Sequence, residues 1–453
     1  MGRMPFSCDR SRTPGAASSP PFLERAPEVV YDTVGVVVVE RASSGEEGQR
    51  RVFKEKMSKK RIPFLDGLRG WGALSVLLGH TFVGVFPVSD ASKTVLSKIP
   101  LFNGTFAVWI FFVVSGFSLS MHFCESKDVT KLRRMAVGRY FRLAIPVTIV
   151  CLLVYVAFAF GLIPGIDEKL PRFKNFYSMT EPSLIQTVRF SMYRAFFSYD
   201  SNESLIPPLW TMAYEIWGSF AIFSVLALIG TLEKRFVLYP FLFLIAYTIH
   251  PMYSAFLVGL FFAEAYSLGI FSTHRKMLFL LSASLMMPTL YWTTLLPGQD
   301  HKVYLAVSSL FVFCVIANDR LTGFFSNKMS RFLGEISFPL YLIHAPVFAA
   351  LSLHLYTYFG WSSYSAIAIN LFAMLVSLTM ARWLVCVDQL GIKASKLIGR
   401  TVVKGSNPSG EALINLTDLP RSLTQIYGEP AVLPLRNPRD PALLEQCWIA
   451  RRT

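Results

Sequence analysis

Charged side chains are scarce in this chain of 453 residues: Asp, Glu, Lys and Arg make up 16%, against 53% hydrophobic and 14% aromatic residues. An average soluble domain is about 25% charged, so the balance points away from that class and towards an all-α, polytopic transmembrane helical bundle. Cysteine is sparse too, and Cys8, Cys124, Cys151, Cys314, Cys386 and Cys447 include no CxxC pair. Neither a disulfide framework nor a zinc site is suggested, and no metal is expected. Residues 1–62 have only Val36 to Val39 as an apolar run, too short for a span or a signal-peptide core. They are expected to form a disordered cytosolic extension. Residues 388–453, broken by Pro408, Pro420, Pro430, Pro434, Pro438 and Pro441, are expected to form a flexible cytosolic tail. Between the two lies the transmembrane part, 63–387. No soluble catalytic domain is expected at either end. The formal charge is +15, yet the cations sit mostly between apolar runs, which implies a lipid bilayer and no nucleic acid.

Ten candidate spans follow from the apolar runs, at about 67–86, 105–121, 144–163, 209–230, 236–249, 252–270, 277–296, 303–318, 337–357 and 364–387. With both termini in the cytosol, the loops after the second, fourth, sixth and eighth spans should be basic. They hold Lys127, Lys131, Arg133, Arg134, Arg139 and Arg142, then Lys234 and Arg235, then Arg275 and Lys276, then Arg320, Lys328 and Arg331. The run from Lys54 to Arg61 before the first span reads as a juxtamembrane anchor. The sequons at Asn103 and Asn202 fall on the outer side.

Against this apolar background the ionisable residues stand out, since within a span they are costly and mark sites. In Leu65 to His80, LDGLRGWGALSVLLGH, Arg69 and His80 are eleven residues apart, about three helical turns and roughly 16 Å along one face. Asp66 shares much of that face. The group reads as an internal Asp66–Arg69 pair with a hydrogen-bonded His80, or as a site in which His80 acts as a general base. Phe111 to Ser120, FFVVSGFSLS, offers Gly116 for helix packing and Ser115 for a ligand. Arg139 and Arg142 form a basic anchor or a phosphate clamp. Glu215, in Pro207 to Phe220, needs a cation or a histidine, so it forms a structural ion pair, or it is catalytic, orienting His80 or taking part in proton transfer. Glu264 reads as structural. His344, near Pro339 and Pro346, is either an interfacial histidine or a second polar group of the site.

Taken in order, LDGLRGWGALSVLLGH, FFVVSGFSLS, GRYFRLAIP, PPLWTMAYEIW and LGEISFPLYLIH resemble the acyltransferase-3 family of integral membrane O-acyltransferases, over roughly residues 61 to 387. That resemblance implies acyl-CoA, most readily acetyl-CoA, as donor from the cytosolic side, and a hydroxylated small molecule or carbohydrate as acceptor. It implies His80 as the essential base, Arg69 as its support, and Arg139 and Arg142 as donor-binding candidates, beside Ser115. Trp71 is bulkier than the residue family members often have there, and either narrows the site or faces lipid. No extracytoplasmic esterase-like domain of the kind some bacterial relatives carry is expected, which leaves a small-molecule acceptor open. A proton-coupled secondary transporter is the alternative that ten spans with buried charges would suit. The two halves show no clear repeat to support it.

Overall fold

The structure, a computed structural model, describes residues 30–32, 35–37, 62–85, 89–163, 182–296, 300–360 and 362–403. The expected disordered extension and tail thus lie largely outside the described residues. A short antiparallel ladder pairs Val30–Asp32 with Gly35–Val37, and the rest of the regular structure is helical. The principal helices are α1 (Pro63–Gly79), α2 (Gly104–Ser126), α3 (Val129–Ala159), α4 (Trp210–Ile229), α5 (Tyr239–Ile249), α6 (Pro251–Ser267), α7 (Arg275–Thr293), α8 (His301–Ala317), α9 (Lys328–Phe359), α10 (Ser363–Trp383) and α11 (Val385–Val402).

Each of the ten predicted stretches falls on a helix. Length and apolar composition single out five that can cross a membrane: Gly104–Ser126, Val129–Ala159, Pro207–Ile229, Lys328–Phe359 and Ser363–Val402. A sixth is added if α8 and Asp319–Phe325, bent by 99°, count as one span. By that measure, of length and composition alone, five or six of the ten stretches read from hydropathy are supported among the described residues. Helices such as α5, with 11 residues, and α6, with 17, are shorter than the ~20 residues a crossing needs.

Polar residues start the long helices. Asn103, Asp128 and Asn327 accept hydrogen bonds from the backbone of Phe106, Lys131 and Ser330 at the beginnings of α2, α3 and α9. Asn103, buried and engaged as a cap, is thereby withdrawn from the sequon it begins. Pro339 and Pro346 both lie inside α9, which runs through them. Neighbouring helices tolerate such prolines where lipid-facing backbone would not be satisfied otherwise.

Backbone contacts decide which helices touch. A side chain on Gly70 would run into Leu333 and Gly334, and one on Gly334 into Asp66, so α1 and α9 pack backbone to backbone. Gly116 of α2 and Gly259 of α6 meet in the same way, against Phe256 and Val113. Gly116 is therefore a packing residue, one of the two roles its sequence context offered. The tail prediction needs correction: α11 continues to Val402 and packs on α3, with Gly391 against Pro146 and Gly399 against Arg134.

One end of the bundle gathers the basic loops. Glu264, 1% exposed, takes hydrogen bonds from Arg235 Nε at 2.5 Å and Tyr239 Oη at 2.7 Å, and Lys127 stands 3.8 Å away. The structural role expected for Glu264 holds. Arg275 pairs with Asp319 at the same kind of connection.

Gly116→Leu should force α2 from α6 and lower the detergent-solubilised unfolding midpoint, by overpacking of about 1–3 kcal/mol or more. Gly323→Ala, where an added Cβ has open space, should leave that midpoint unchanged or slightly raised.

Candidate active site

A cavity of about 970 Å³ opens between α1, α2, α3, α4, α9 and α11. The exposed residues in its wall, among them Pro63, Glu125, Arg331 and Lys396, mark its mouth at the basic end. The buried Thr211 and Tyr341 mark its inner end. Arg69, Ser115, Arg139, Arg142 and Glu215, dispersed over four helices, all face this one space, and Asp66 joins them. A pocket of this size suits an extended ligand.

Its charges are largely neutralised within the wall. Arg139 forms an ion pair with Glu215 and donates through Nε to Ser219 Oγ at 2.8 Å. Ser115 donates to Glu215 Oε1 at 2.9 Å, so Glu215 ties α2, α3 and α4 together. Arg142 holds Asp388 of α11 in a two-point contact at 2.6 and 3.1 Å, the planar fork geometry in which guanidinium and carboxylate match best. Asp388 carried no signal in the sequence beyond being an acid after the last apolar run. For Arg69, Arg331 and Lys396 no ion pair forms among the described residues. Asp66 makes no direct ion-pair contact with Arg69 among the described residues, yet it is the acid that acts most strongly on that guanidinium.

His80 and His344 stand beyond the cavity's inner end and are not among its described lining residues. His80 opens a π-helical stretch, His80–Val85, that follows α1. Widened turns of this kind recur at functional sites. His80 Nδ1 lies 2.9 Å from His344 Nε2, and the rings are within 16° of parallel. His344 is 1% exposed, while His80 is half-buried. His344 is thus a partner of His80 and not an interfacial residue. Glu215 pairs with Arg139, and the ring nitrogen facing His80 Nδ1 belongs to another imidazole, His344.

Tyr341 separates the two regions. It lines the cavity, sits one turn before His344 on α9, and its ring centroid is 6.1 Å from that imidazole. Its hydroxyl donates to the Pro208 carbonyl and lies 2.6 Å from Thr211 Oγ1. Both residues were missed in the sequence, where Tyr341 reads as one more aromatic in PLYLIH. Trp71 is not among the described residues lining the cavity; it donates to Ser330 Oγ at 3.0 Å and stacks on Phe324.

A family model described as an acyltransferase domain matches residues 62–386. No curated protein and no solved structure matches the chain.

Asp388→Ala should destabilise the protein by up to about 3 kcal/mol, because Arg142 would be left as a half-buried charge without its carboxylate. The double variant Asp388→Ala/Arg142→Met should recover much of the loss, as read by thermal unfolding in detergent.

Proposed function

Since the chain belongs to the acyltransferase-3 family, we propose that it is a membrane-embedded O-acyltransferase moving an acyl group, in the first instance acetyl, from acyl-CoA to a hydroxyl of a small molecule or glycan. The observation that carries this reading is the arrangement of one cavity, open at the basic end, ending one helical turn short of a hydrogen-bonded histidine pair. With the basic end in the cytosol, as the excess of Lys and Arg in its loops favours, the donor arrives from the side where acyl-CoA is made available. Both termini then lie on that side.

In this reading the pantetheine arm threads the cavity towards Tyr341 and brings the thioester to His80. The acceptor hydroxyl oxygen attacks the thioester carbon as the imidazole of His80 removes its proton. Arg69 lies about 16 Å from His80 along the helix, beyond the reach of an oxyanion at that histidine. Its part is to grip the donor in the cavity, together with Arg331 and Lys396 at the mouth, whose cationic heads suit the donor's phosphates. Arg139 and Arg142, each already matched by a carboxylate, shape the wall, and so does Ser115 through Glu215.

Membranes containing the protein should transfer label from radiolabelled acetyl-CoA to an acceptor in a mixture of hydroxylated small molecules and glycans. His80→Ala should lower kcat by at least about 10²-fold, while Arg69→Ala should act mainly by raising the KM for acetyl-CoA. Transfer unchanged in both variants, or solute uptake by proteoliposomes without dependence on CoA, would overturn the proposal.

A further inference from the structure

Two imidazoles in contact can share a hydrogen in either direction, and here the backbone fixes the direction. His344 Nδ1 lies 3.0 Å from the carbonyl oxygen of Leu340. A carbonyl has no hydrogen to give, so Nδ1 of His344 is the donor. In a neutral imidazole the other nitrogen then holds the lone pair, which makes His344 Nε2 an acceptor. The atom facing it at 2.9 Å is His80 Nδ1, which therefore carries a hydrogen, and by the same rule the lone pair of neutral His80 resides on Nε2.

We infer, on the basis of the acyl-transfer reading above, that His344 is a positioning residue that holds His80 in the tautomer whose Nε2 takes the acceptor's proton. The chain runs from the Leu340 carbonyl through His344 to His80, and each link is set by the one before it. As the acceptor oxygen bonds to the thioester carbon, its proton passes to His80 Nε2. Collapse of the tetrahedral intermediate breaks the carbon–sulfur bond and returns that proton to the departing sulfur, giving an ester, a free thiol and a neutral His80. His344 gains and loses nothing in the cycle. In the serine protease triad a carboxylate does this orienting and also stabilises the imidazolium. A neutral imidazole supplies the orientation without the charge.

The test uses the full-length protein in liposomes, with His344→Leu and His344→Gln. Glutamine can offer its amide oxygen to His80 Nδ1, and leucine cannot. His344→Leu should lower kcat by about 10²-fold or more with little change in the KM for acetyl-CoA, and His344→Gln should recover most of the loss. Nitrogen-15 spectra of histidine-labelled protein, with His80→Ala for assignment, give a readout independent of activity. They should show His80 protonated on Nδ1 with a pyridine-type Nε2, and a shift of the hydrogen towards Nε2 in His344→Leu. The proposal is overturned if His80 in the native protein carries its hydrogen on Nε2, if His344→Leu keeps full kcat, or if both variants lose activity equally while the tautomer stays as it was. Absence of any acyl transfer by the native protein would sink the functional reading instead, and the nitrogen spectra would still decide the tautomer.

Discussion

The close approach of α1 to α9 is the constraint on which the rest of the site depends. Gly70 and Gly334 let the two backbones meet, and the helices run in the same direction from the basic end. Ten residues further along each of them stand His80 and His344, so a shared rise of about 15 Å brings the two rings level. The 2.9 Å contact between them is the outcome of that register. A bulkier residue at either glycine would push the axes apart, and a shift of one residue in register would turn the imidazoles to different faces. The histidine pair is therefore specified by two glycines a long way from it, on the side where the cavity opens.

Electrostatics sets the second condition. A cavity that reaches into an apolar bundle cannot carry many bare charges, because each would lose its hydration without compensation. The wall meets this by pairing: Arg139 with Glu215, Arg142 with Asp388, and, outside the cavity, Arg235 with Glu264. These pairs also fasten α3 to α4, α3 to α11, and the start of α5 to α6. Among the described residues of the wall, the cationic groups without a direct ion pair are then Arg69 within and Arg331 and Lys396 at the mouth. A gradient of that kind, from solvated cations outside to neutral imidazoles inside, suits a donor whose phosphates stay at the surface while its thioester travels inward.

Much of this was legible in the order of residues. Apolar runs located the helices, and the motif series matched the family found for residues 62–386. Helix length and composition support five or six of the ten crossings read from hydropathy, because an apolar run does not reveal where a helix breaks. Pairing between distant helices was harder to read. Glu215 visibly needed a partner, but nothing in the chain chose Arg139 over His80; that choice is made by the packing of α3 against α4. Asp388 was assigned to a tail because the apolar pattern stops there, whereas α11 continues by lying on α3. His344 was ambiguous between an interface and a site, and only the register of α1 on α9 resolves it. Tyr341 gave no signal, since an aromatic among aromatics is distinguished by where its hydroxyl goes.

The central claim is that His80 and His344 act as one unit at the inner end of the cavity, and a kinetic double-mutant cycle tests it most directly. Turnover of acetyl-CoA would be compared in the native protein, His80→Ala, His344→Leu and the double variant. If the two form one unit, replacing His344 is costly in the native background and has almost no effect once His80 is gone. An equal fractional loss in both backgrounds would show the two histidines acting independently, and would contradict the account.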